Sequence, residues 1–77
     1  MKIHKIGGEN LPLNNLKGEL VRKGISQREV ASYLATQTST LNKKLNGHIP
    51  FTINEAFRIK NHFFPEFTVD YLFVNDS

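Results

Sequence analysis

The chain has 77 residues, ten Lys+Arg against seven Asp+Glu for a net charge of +3, 39% hydrophobic content and no cysteine. That length makes one small domain; the composition excludes a disulfide scaffold, a thiolate zinc site and a cysteine nucleophile, and no apolar run approaches the roughly 20 residues of a membrane span. The opening stretch, MKIHKIGGEN, has neither the apolar segment of a secretory signal nor the arginine-rich character of a transit peptide, so a soluble chain that is not exported is expected.

A domain this small buries roughly 60% of the surface its unfolded chain exposes, so help from a dimer partner would suit its thin core. The charge is unevenly spread. Residues 17–60 hold Lys17, Arg22, Lys23, Arg28, Lys43, Lys44, Arg58 and Lys60 against Glu19, Glu29 and Glu55, a net +5, and the stretch after them holds only Glu66, Asp70 and Asp76. A basic middle with an acidic tail suits a polyanion on one face, although on charge alone an ordinary solvated surface accounts for it as well.

Residues 1–10 carry Gly7 and Gly8 without helical spacing and are expected to form an extended or flexible arm ahead of a single domain over 11–77. Lys2 and Lys5 could bring that arm to a polyanion, but most chain ends touch nothing. A first helix should begin near Asn14 or Asn15, both good N-caps, and present Leu16, Leu20 and Val21 on one face. Gly24 should end it, with Arg22 and Lys23 in the last turn where cations suit the helix dipole. Gly18 inside it costs about 1 kcal/mol relative to alanine unless close packing needs it.

A second helix over 26–35 opens on Ser26, whose hydroxyl can accept from the Glu29 amide while Glu29 reaches back, the capping-box pattern. Val30, Ala31 and Leu34 form its inward stripe. Thr36, Gln37 and Thr38 are poor helix formers but serviceable caps, so the second helix stops near Ala35 and a third, over 37–46, follows within a tight turn. Asn46 and Gly47 terminate it.

At about 100° per residue, Leu41 and Leu45 mark the buried side of this third helix. Ser39, Thr40, Asn42, Lys43 and Asn46 then occupy the opposite arc, with Thr38 and Lys44 flanking the buried seam. No carboxylate occurs from Thr36 to Asn54. Hydroxyls, amides and a cation suit base edges and phosphates: Asn pairs with adenine, Lys reaches guanine or phosphate, and Ser or Thr donates or accepts at several bases. The alternative is a polar helix face that merely meets water, but such a face usually mixes signs and this one does not.

His48, Ile49, Pro50 and Phe51 make a connection, and Thr52 with Glu55 gives a second capping box. The fourth helix should turn Ile53, Ala56, Phe57, Phe63 and Phe64 inward and end at Pro65. Its phenylalanines are most simply core. Thr68 can cap a last short helix whose Val69, Leu72 and Phe73 cover the core; an exposed Tyr71 and Phe73 would instead form a dimer patch. His4, His48 and His62 are scattered, and there is no HExxH, no paired-carboxylate arrangement and no glycine-rich loop after a strand. No catalytic residue, metal ligand or cofactor is therefore expected. His48, beside the polar arc, can meet a phosphate when protonated or stand as a solvated loop residue.

Residues 13–73 resemble the helix-turn-helix domain of the Cro and phage-repressor type, the XRE family. Ala31, Ala35 and Leu41 match the small residue, the turn position and the third-helix apolar residue that this family uses to pack the two helices together. Gln27 opening the second helix, Asn46-Gly47 closing the third and the segment Val69-Asp70-Tyr71-Leu72-Phe73 also match. Two positions depart from the pattern. Ala35 stands where glycine is usual, so the turn either avoids positive φ or stores strain. Lys44 stands where an aromatic residue is common, which leaves Leu45 to provide that packing.

The resemblance implies an all-α, compact five-helix, lambda-repressor-like domain with a short N-terminal arm and the third helix in the major groove. It implies that Gln37, Thr38, Ser39, Asn42 and Lys43 face bases or neighbouring phosphates, that Gln27 contacts a backbone phosphate and that the Asn46 region approaches the backbone; the basic side chains Arg28, Lys44 and His48 are expected to meet phosphates alongside them. The expected function is a transcriptional regulator, a small phage-type or bacterial repressor on operator DNA. It would work in the cytoplasm or nucleoid, as a homodimer on double-stranded DNA, without a membrane or small-molecule partner. The same fold also serves as a protein-interaction module in antitoxins and adaptors, and the chain could equally be a domain excised from something longer.

Overall fold

Five helices and a pair of two-residue strands carry the chain in a computed structural model that describes residues 5–6 and 11–74. In order they are β1 (Lys5–Ile6), α1 (Asn14–Lys23), α2 (Gln27–Leu34), α3 (Thr38–Leu45), β2 (Phe51–Thr52), α4 (Ile53–Phe63) and α5 (Val69–Leu72). The fold is thus mostly helical, in the all-α class. Apart from Lys5–Ile6, the arm expected over 1–10 lies outside the described residues. No helix among the described residues is long and apolar enough to cross a membrane.

The strands pair antiparallel, Lys5 opposite Thr52 and Ile6 opposite Phe51. Two residues are too few to show alternation, so the connection expected at 48–51 hides a strand at its end. Thr52 then serves twice. Its backbone closes β2, and its hydroxyl accepts from the Glu55 amide at 3.0 Å while Glu55 accepts from the Thr52 amide at 3.0 Å, completing the capping box of α4.

The N-cap of α1 is Leu13, not Asn14 or Asn15. Leu13 is fully buried and its amide donates to Leu45 O at 2.9 Å, so a tertiary contact with the end of α3 sets the helix start instead of a side-chain cap. Asn15 falls in the first turn and donates to Tyr71 O at 2.9 Å. At the other end Gly24 takes φ 68°, and the Gly24 and Ile25 amides return to Val21 and Leu20 carbonyls in a left-handed cap. Nothing packs on Gly18: an added methyl would meet only the Arg22 guanidinium, at 3.4 Å.

The core joins Leu13, Leu16 and Leu20 to Val30, Ala31 and Leu34 of α2, Leu41 and Leu45 of α3, Phe51, Ala56 and Ile59, with Phe64, Leu72 and Phe73 closing the far end. Each large side chain here contributes roughly 1.5–3 kcal/mol by leaving water. Three apolar residues expected inside are not. Val21 is 80% exposed, and Ile53 and Phe57 on α4 are open to solvent while Ile59 takes the buried place. The angles explain this: Val21 lies about 140° from Leu16, and Phe57 about 160° from Ile59. Phe73 is buried, so the aromatic pair pictured with Tyr71 on the surface does not form.

Candidate nucleic-acid interface

α2 and α3 are joined by Ala35, Thr36 and Gln37 alone. Ser26 starts the unit by accepting from the Glu29 amide at 3.1 Å. Ala35 ends α2 in the left-handed region, φ 59° and ψ 44°, and the Thr36 amide closes back on Ala31 O at 2.9 Å. The turn therefore keeps the conformation that usually calls for glycine. Val30, Ala31 and Leu34 meet Leu41 and Leu45 across it, which sets the rotation of α3 about its axis.

With that rotation, Gln37, Thr38, Ser39, Asn42 and Lys43 are all exposed, and Thr40 is half-buried. Gln37 is the N-cap of α3 but spends no side-chain hydrogen bond on it, and the first turn carries no acid. Its amide-rich positive end and its outward arc thus meet solvent on one side. Arg28 and His48 are exposed as well, and Gln27 and Asn46 are half-buried.

Lys44 turns inward. Expected to meet phosphate, it is buried to 9% exposure, and its Nζ donates to both Glu55 carboxylate oxygens at 2.8 Å while lying 5.7 Å from the centre of the Phe51 ring. It sits about 60° from Leu41, within the buried stripe, and α4 supplies the countercharge there. Burial pushes the Glu55 carboxyl up, but the hydrogen bonds from Lys44 and from Thr52 bring it below its ordinary value. Lys44 therefore fastens α3 to α4 and leaves Lys43 as the outward cation of this helix.

The side chains on this face are linked. Asn42 Nδ2 donates to Gln27 Oε1 at 3.2 Å, joining α3 to the first residue of α2. Asn46 Nδ2 donates to the Asn42 main-chain oxygen at 3.0 Å and to Asn42 Oδ1 at 3.2 Å. Lys17 Nζ of α1 donates to Asn46 Oδ1 at 2.8 Å. Lys17 had no place in the sequence reading of this site. Its only local signal is a position beside the buried stripe of α1, and the contact spans 29 residues.

Gly47 anchors the end of the unit. Its φ is 86°, and the Leu11 backbone crosses so close that a methyl group there would overlap Leu11 N, C and O. Among the described residues no group of three His, Asp or Glu side chains could hold a metal ion. The face can donate and accept hydrogen bonds and neutralise anions. Comparison with family models, with curated proteins and with solved structures finds no match to this chain.

Proposed function

We propose that this chain is a sequence-specific DNA-binding regulator that lays α3 in the major groove, in the helix-turn-helix manner of Cro and the phage repressors. One observation carries the reading: the outward side of α3 and its N-cap displays Gln37, Thr38, Ser39, Asn42 and Lys43 together, with no carboxylate among them. These groups match the donors and acceptors of base edges, and an α-helix fits the width of the groove. Gln27, Arg28 and His48 border the same helix-turn-helix unit and would meet the phosphates beside it, whereas Asn46, expected among them, gives its NH2 group to Asn42 and so holds that residue in place. Two copies on a pseudo-palindromic operator, with half-sites roughly 34 Å apart, would occlude or redirect polymerase.

The test is selection from random duplexes followed by alanine variants. An inverted repeat should be enriched. Ser39→Ala and Asn42→Ala should each cost about 1–3 kcal/mol on the selected site and relax preference at one base pair. Lys43→Ala should weaken binding and, if it meets phosphate, reduce the salt slope by about one. Unchanged binding across the series would remove the readout assignment. A stoichiometric protein partner, with no DNA retained at about 100 mM salt, would replace it with the protein-interaction module.

A further inference from the structure

A lysine ammonium has three donors and no acceptor, so an amide partner at hydrogen-bond distance must turn its oxygen toward it. That constraint propagates from Lys17. With Oδ1 held 2.8 Å from Lys17 Nζ, Asn46 has only its NH2 group to offer α3, and Nδ2 donates to both Asn42 oxygens. Asn42, its oxygen so engaged, donates through Nδ2 to Gln27 Oε1. Every donor points the same way, from α1 across the end of α3 to the start of α2. The chain ends on the Gln27 NH2 group.

We propose that Lys17 is a positioning residue for the DNA-facing side of α2 and α3: its ammonium, acting with the Asn42 main-chain oxygen, locks the direction of the Asn46–Asn42–Gln27 amide chain, so that Gln27 offers N–H groups to a backbone phosphate oxygen. This rests on the reading of that face as a duplex-DNA surface. An amide has two donors and two lone pairs, and Asn42 uses one of each within the chain. One donor and one acceptor remain, the pair that an adenine edge takes. The Asn42 main-chain oxygen, which can only accept, holds the Asn46 NH2 group in the same sense; without the cation that 3.0 Å bond alone keeps the Asn46 oxygen toward α1. A reversed chain would end on the Gln27 carbonyl oxygen, which a phosphate repels.

The experiment uses the full 77-residue chain as wild type, Lys17→Met and Lys17→Arg. Methionine keeps the stem and removes charge and donors, whereas arginine keeps both. In the free protein, Lys17→Met should move the side-chain NH2 resonances of Asn46, Asn42 and Gln27, and Lys17→Arg should return them toward wild type. On DNA, Lys17→Met should lower affinity for the selected duplex roughly five- to tenfold more than affinity for random duplex, with rescue by arginine.

Asn42 and Gln27 resonances that do not move would overturn the proposal. So would an equal loss on both duplexes with the salt slope reduced by about one, because Lys17 would then be a simple phosphate contact. A wild-type chain that retains no duplex, while its three resonances still respond to Lys17→Met, would overturn the DNA reading and uphold the direction of the chain.

Discussion

Ala35 holds φ 59° with a methyl side chain, and it is the only non-glycine residue at positive φ among the described residues. The left-handed region costs an L-residue roughly 1–2 kcal/mol because Cβ crowds the following carbonyl, and glycine escapes that cost. Ala35 is exposed, so its methyl group has little packing to offset the strain. Ala35→Gly should therefore stabilise the fold by about 1 kcal/mol, a Tm rise of roughly 4–8 °C, after the added freedom of the unfolded chain is deducted. A lower Tm would mean that the methyl group packs in a way its exposure does not show. Gly47 presents the opposite case. Its φ is 86° and the Leu11 backbone occupies the space a Cβ would need, so strain and overlap act together. Gly47→Ala should cost about 2–5 kcal/mol, read as an earlier urea midpoint; an unchanged midpoint would show that Leu11 can move aside freely.

Within α3, adjacent lysines have separate tasks. Lys43 is exposed, whereas Lys44 is buried against Phe51 and paired with Glu55. Lys44→Met keeps the stem but removes one partner of the pair, leaving the 21%-exposed Glu55 carboxylate with only its Thr52 bonds, and should cost roughly 1–3 kcal/mol, read as an earlier urea midpoint; an unchanged midpoint would show that water replaces the ammonium freely. DNA affinity and salt slope should stay at wild-type values in Lys44→Met and fall in Lys43→Ala; equal losses from both would return Lys44 to the phosphate set. Much of α2 and α3 could be read locally, because Ser26, Ala35 and Asn46-Gly47 mark helix ends through short-range chemistry. Lys44 could not be assigned that way, since its partner arrives from α4. Nor could the cap of α1: the helix begins at Asn14 as expected, but its N-cap is Leu13, held by a bond to Leu45. Val21 and Phe57 were legible in principle: their angles place them outside, and only their apolar character argues for the core. The Lys17–Asn46–Asn42–Gln27 chain needs three helices in place before any of its members meet.

Across the whole molecule, the carboxylates that fasten one element to another are drawn below their ordinary value of 4.5. Lys23 with Glu66, 2.7 Å apart, is open to water on both sides, so it is screened and contributes little. Glu19 is different. Its side chain is nearly buried on α1, and it accepts from Arg22 and from the Tyr71 hydroxyl at 2.7 Å, which binds α5 to α1. The Arg22 hydrogen bonds lower the Glu19 carboxyl most, and the Tyr71 hydroxyl lowers it further against the opposing effect of burial. A depressed folded value means that the unfolded chain binds more protons in acid. The stabilisation is complete above the ordinary carboxyl value and disappears as pH falls through the folded one. Tm should therefore be level from about pH 8 to 6 and decline below roughly pH 4.5. Tyr71→Phe retains the ring against Phe67 and removes only the hydroxyl. Its Tm should lie below wild type at neutral pH, and the gap should close in acid as Glu19 takes up its proton in both proteins. A gap that stays constant from about pH 7 to pH 3 would show that the hydroxyl acts through packing, with no linkage to the Glu19 charge.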